Sequence, residues 1–141
     1  MNGKTFVDTN VLIYAHDADA GAKREIARNL LRELWSVRGG ILSTQVLQEF
    51  YVNVTRKIAS PLPKASARTV VDNYATWCME TSLADVSTAF GIEDESKIGF
   101  WDALVLASAS RGGAVRLLSE DLNAGQTVMG VQIENPFAAI P

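Results

Sequence analysis

Short apolar runs alternate along this chain with longer stretches whose apolar residues recur at helical spacing. Lys4-Thr5-Phe6-Val7 predicts a buried strand that ends in Asp8-Thr9-Asn10, with a first helix from Asn10 to His16. The polar segment Asp17 to Gly21 is a loop. In the second helix Ala22, Ile26, Leu30, Leu31, Leu34 and Trp35 form the apolar side, and Arg24, Arg28 and Arg32 form an i, i+4 stripe on a solvated face, stopped by Arg38-Gly39-Gly40. Ile41-Leu42-Ser43 is a second strand, and Ser43 or Thr44 can cap the next helix. That helix carries Val46, Leu47, Phe50, Tyr51, Val54 and Ile58 on one side, with Gln45, Glu49 and Asn53 on the other. Pro61 and Pro63 break it, and Lys64 to Cys78 predicts another helix. Thr81-Ser82-Leu83 is the expected third strand, followed by helices from Ala84 to Glu95 and from Trp101 to Ser110. The latter is apolar almost all round, so it should be buried. Ala114 to Leu118 and Val128 to Ile133 complete the expected strands.

Alternating strands and helices predict a single α/β domain over residues 1–141, a three-layer α/β/α sandwich around a central, mostly parallel sheet. A hydrophobic share of 48% with 21% charged residues is that of an ordinary globular protein and excludes a disordered or fibrous chain. The one cysteine, Cys78, lies among Tyr74, Trp77 and Met79 and reads as a buried thiol, which suits a reducing cytoplasm. No signal-like segment or bilayer-length apolar run is visible, so a cytoplasmic location away from membranes is expected. His16, the only histidine, follows the first helix beside Asp17 and is expected to be exposed, so no nucleophilic triad can be built from it and Cys78.

Four carboxylates change this bland picture. Asp8, Glu49, Asp102 and Asp121 all fall at strand ends or helix starts on the carboxyl edge of the predicted sheet, where open α/β sheets bind ligands. Asp102 stands at the start of a nearly all-apolar helix, where an ionised group is costly unless paired or bound to a cation. Like charges brought together persist only around a cation, and oxygen ligands without His or Cys select Mg²⁺ or Mn²⁺ over zinc. Such a site suits metal-assisted phosphodiester hydrolysis, with Thr9, Asn10 and Ser119 placed for supporting hydrogen bonds. The formal charge of −3 first argues against a nucleic-acid partner; 16 acidic residues less these four leaves 12 against 13 basic ones, which weakens the objection. Arg24, Arg28, Arg32, Arg56, Lys57, Lys64 and Arg68 are candidate RNA phosphate contacts.

Phe6-Val7-Asp8-Thr9-Asn10-Val11-Leu12, Leu47-Gln48-Glu49-Phe50-Tyr51, Trp101-Asp102-Ala103-Leu104 and Leu118-Ser119-Glu120-Asp121-Leu122 together resemble the PIN-domain family, most closely the VapC-type ribonuclease toxins. The resemblance implies Mg²⁺- or Mn²⁺-dependent endonucleolytic cleavage of RNA, inhibition by a cognate antitoxin and frequent homodimerisation. It assigns the metal site to Asp8, Glu49, Asp102 and Asp121. The competing classes are a non-catalytic RNA- or protein-binding module of the same fold, and a metal-dependent phosphatase or nuclease outside toxin–antitoxin systems. A receiver-type signalling domain fails on residues, because Ser43-Thr44 and Ser119-Glu120 stand where its phosphoacceptor Asp and its Lys belong.

Overall fold

The computed structural model describes residues 3–139. Along them run β1 (Lys4–Val7), α1 (Thr9–His16), α2 (Ala22–Val37), β2 (Gly40–Ser43), α3 (Thr44–Arg56), α4 (Lys64–Tyr74), β3 (Cys78–Met79), α5 (Leu83–Ser96), α6 (Phe100–Arg111), β4 (Ala114–Leu118), β5 (Thr127–Val128) and β6 (Val131–Glu134). The six strands form one sheet in the order β3-β2-β1-β4-β6-β5, parallel except where β5 meets β6. The chain builds outward from β1 to β2 and β3, then crosses back to place β4 on the other side of β1. With right-handed crossovers this reversal puts α1 to α4 on one face and α5 with α6 on the other, the expected three-layer sandwich. It also opens a crevice between the carboxyl ends of β1 and β4.

The inner layer is apolar for the reason the pattern predicts. Phe6 and Val7 of β1, Leu42 of β2, Leu117 and Leu118 of β4 and Ile133 of β6 are buried, as are all residues of α6 from Ala103 to Ala109. Helix α6 packs across β4, β2 and β6, so its all-round apolar sequence is sandwiched between the sheet and α5. On the other face α1 packs on α2 and α3, and α3 on α4. Gly40 begins β2 because the Trp77 indole lies against it; a Cβ there would come within 2.7 Å of the ring.

Several expectations need correction. The third strand is Cys78–Met79 rather than Thr81–Leu83: α4 stops at Tyr74, a 3-10 turn covers Ala75–Trp77, and the chain then pairs with Leu42 and Ser43 of β2. Cys78 is therefore a half-buried strand residue rather than a helix end. Ser82 instead caps α5 in a box with Asp85, its hydroxyl accepting from the Asp85 N–H while the Asp85 carboxylate accepts from the Ser82 N–H. The last strand is a hairpin, because Met129 (φ 49°) and Gly130 (φ 80°) form a two-residue turn with both central residues left-handed. The α2 stop is made by Arg38 itself in the left-handed region, not by a glycine. Trp35 is 47% exposed, its ring 5.0 Å from that of Trp77 and tilted 43° to it, rather than sunk in the core.

An ion pair that no local pattern signals joins a buried carboxylate of α5 to an exposed arginine at the end of α6. Asp85, 1% exposed, accepts from Arg111 at 2.6 and 2.9 Å and from the Ser108 hydroxyl at 3.1 Å, and Arg111 also donates to the Glu80 carbonyl. Burial pushes the Asp85 carboxyl up, but the Arg111 hydrogen bonds, with those of Ser82 and Ser108, outweigh it and hold the group below the usual carboxylate range. The ionised pair therefore contributes stability at neutral pH that is lost as pH falls from the ordinary carboxylate range through that depressed value. Arg111→Met, which removes the partner of the Asp85 charge, is expected to lower stability by about 1–2 kcal/mol in urea denaturation at pH 7, less than for a fully buried pair because the guanidinium is 44% exposed. A loss under about 0.5 kcal/mol would show the pair to be energetically idle.

Candidate functional site

The site begins with Asp8, the residue after β1. Its backbone N–H continues the ladder to the Leu118 carbonyl at 3.0 Å, and its own carboxylate caps α1, accepting from the Thr9 N–H at 2.7 Å. The other oxygen accepts from the Ser119 hydroxyl at 2.7 Å, across from the end of β4. Only 5% of Asp8 is exposed. Burial pushes its carboxyl up to about 6; the Ser119 and Thr9 hydrogen bonds oppose this, and the charges of Asp102 and Glu49 reinforce it.

The other three carboxylates arrive from three separate elements. Glu49 projects from the second turn of α3 and is held by the Thr9 hydroxyl at 2.7 Å. Asp102 lies in the first turn of α6, and its carboxyl is pushed up by burial, then by the Asp121 and Glu49 charges. Asp121, exposed in the loop after β4, accepts from the Asn10 amide at 3.0 Å, while its N–H donates to the Ser119 hydroxyl at 3.2 Å. Thr9, Asn10 and Ser119 thus link the carboxylates as a supporting layer. Asn10 also takes the Glu120 N–H at 3.2 Å, and Glu120 is gripped by Tyr14 and by Lys23 at 2.5 Å, which fixes the β4 loop to α1 and α2.

None of the four carboxylates takes part in an ion pair among the described residues. As the side chains stand, no three acidic, histidine or cysteine groups among those residues are near enough to hold an ion. The donor chemistry nevertheless fits a hard divalent cation: every candidate ligand is an oxygen, and Asp8 and Asp102 each feel neighbouring negative charge that nothing basic offsets. Beside them is a cleft of about 530 Å³ between α1 and α3, lined by Thr9, Asn10, Glu49, Asn53, Lys57 and Asp121 among others.

The remaining candidates separate by position. Lys57 is the basic candidate that lines this cleft. Arg56, Lys64 and Arg68 are exposed away from its lining, with Arg68 over the Tyr51 ring. Arg24 and Arg28 are half-buried rather than solvated, close enough to His16 for their charges to add to burial in lowering its pKa to about 4. His16 is likewise half-buried, paired with the Tyr74 hydroxyl at 3.0 Å, so the expectation of an exposed histidine was wrong. Gln45 lies buried instead of beside Glu49, with its amide reaching the Trp101 carbonyl at 3.3 Å.

A doubly wound sheet with carboxylates gathered at its topological switch defines a class of α/β proteins with an acidic site. A family model for the PIN domain matches residues 5–127, and the chain belongs to that family. No curated protein matches the sequence significantly. Among solved structures, a toxin–antitoxin complex from Klebsiella pneumoniae shares the fold at a TM-score of 0.68 and 18% identity, covering 94% of this chain and 98% of the other. DNA-bound VapBC from Salmonella typhimurium gives 0.66 at 18% identity, with 95% and 98% covered. A sarcin–ricin-loop-cleaving VapC toxin of Mycobacterium tuberculosis gives 0.60 at 16% identity, with 81% and 87% covered.

Because folding favours protonated Asp8, its contribution to stability is complete below about pH 4 and is lost as pH rises through about 6. Asp8→Asn keeps a capping oxygen and removes the charge. With metal chelated, the variant is expected to exceed the parent by up to about 3 kcal/mol at pH 7.5, with the gain vanishing near pH 4. Thermal melts at the two pH values check this, and a variant less stable than the parent at pH 7.5 would contradict it.

Proposed function

We propose that this protein is an endoribonuclease dependent on Mg²⁺ or Mn²⁺, the toxin of a toxin–antitoxin pair. The observation that carries the reading is a buried Asp8 facing the charges of Glu49 and Asp102, with no ion pair to a cationic side chain among the described residues. Membership of the PIN-domain family and fold likeness, over 81% to 95% of the chain, to toxin–antitoxin and VapC structures support it.

Asp8, Glu49, Asp102 and Asp121 are the residues that would hold the ion. When bound, it supplies Lewis-acid chemistry, acidifying water and neutralising charge on a phosphodiester. Ser119 and the Thr9 N–H fix the Asp8 carboxylate from two sides, so it is oriented before anything binds. Thr9 tethers one oxygen of Glu49 and leaves the other for the ion or for orienting an attacking water. Asn10 holds Asp121 in the same way. Lys57, on the cleft wall, is placed for an RNA phosphate. Full-length fold likeness to chains from toxin–antitoxin complexes supports a cognate antitoxin as partner, and the family resemblance supports a homodimer.

RNA cleavage is expected with Mg²⁺ or Mn²⁺, to stop in EDTA, and to fall at least roughly a hundredfold in Asp8→Asn. Undiminished activity in either case would sink the mechanism. Lys57→Ala is expected to weaken RNA binding across sequences and to reduce the slope of log affinity against log salt by about 0.7. An unchanged slope would remove Lys57 from the binding surface.

A further inference from the structure

Seven residue steps along α1, about 10 Å of helix, lead from Thr9 at the cleft to His16 at a second hollow. This hollow, about 250 Å³, lies among α1, α2 and α4 and is lined by His16, Arg28, Arg32, Trp35 and Tyr74 over Leu31. His16 Nε2 and the Tyr74 hydroxyl are paired at 3.0 Å. Arg24, Arg28 and Arg32 recur at one-turn spacing, and none forms an ion pair among the described residues. The buried Nε of Arg24 has no hydrogen-bond partner there. Trp35 leans on Trp77 with the two rings tilted by 43°, yet it keeps nearly half its surface in solvent. Beyond Trp35 a further hollow is lined by Lys4 and Arg38.

Cations without counter-ions flanking an exposed indole are the two components of a single-strand nucleic-acid groove: charge for the backbone and a platform for a base. We propose that the hollow is a single-stranded RNA exosite, with Arg28 and Arg32 taking phosphate oxygens and Trp35 stacking a nucleobase. It rests on the RNA reading of the carboxylate site, and α1 sets the separation between the two. The exosite holds substrate a few nucleotides from the scissile bond and contributes affinity rather than chemistry. An acidic peptide also suits arginines, but it gives no use to an exposed indole between two basic hollows.

The test is anisotropy of labelled single-stranded RNA on the full chain with metal chelated, so that binding is scored whether or not the chain cleaves. Arg28→Gln/Arg32→Gln is expected to weaken binding at least tenfold and to lower the salt slope by about 1.4. The matching Lys pair should retain most of the affinity. Trp35→Ala should cost roughly five- to a hundredfold and Trp35→Phe much less. Thermal melts matching the parent establish that the variants fold. Unchanged binding in the Gln pair, equal losses in Trp35→Ala and Trp35→Phe, or a mononucleotide or glutamate-rich peptide binding as tightly as RNA would overturn the exosite. RNA bound here without any metal-dependent cleavage would overturn the nuclease reading and leave the exosite standing.

Discussion

The carboxyl end of β1 carries a buried negative charge that the fold itself does not balance. Asp8 is fixed by the Thr9 N–H and the Ser119 hydroxyl, hydrogen bonds that favour its ionised form, yet burial and the charges of Asp102 and Glu49 oppose ionisation more strongly. A protein selected only for stability would replace such a group with an apolar or amide side chain. The surrounding architecture instead preserves it: the strand order reverses beside β1, α6 brings Asp102 to the same edge, and Glu120 is gripped by Lys23 and Tyr14 so that the loop bearing Asp121 stays in place. Uncompensated charge of this kind is the basis of the metal site proposed here.

The Asp85–Arg111 ion pair shows the contrast. Asp85 is as little exposed as Asp8, but Arg111, Ser108 and the Ser82 N–H satisfy it, and its carboxyl is held down rather than pushed up. The same residue type in the same fold therefore takes opposite electrostatic roles. What differs is the presence of a cation in the protein itself.

The alternation of apolar runs exposed the parallel sheet and the buried α6 because both are properties of local sequence. Carboxylates after predicted strands were equally legible, since the carboxyl edge is set by topology. Where the sequence misled, short-range chemistry competed closely. Thr81-Ser82-Leu83 has strand-forming residues, but Ser82 and Asp85 form a capping box that a search for Ser-x-x-Asp would have revealed. A two-residue strand at Cys78–Met79 is too short for periodicity to register, and Met129 in a left-handed turn has no sequence signature. The arginine stripe of α2 looked solvated from spacing alone. Its approach to His16 depends on how α2 packs on α1, which is a tertiary fact.

The most direct measurement of the central claim is calorimetric titration of Mn²⁺ into the metal-free protein at pH 5 and pH 7.5, in buffers of different ionisation enthalpy. Binding that is tighter at pH 7.5 and releases a proton at pH 5, with both effects lost in Asp8→Asn, is the result expected of a carboxylate whose charge awaits a cation. Binding indifferent to pH and to Asp8, or no binding at all, would contradict it.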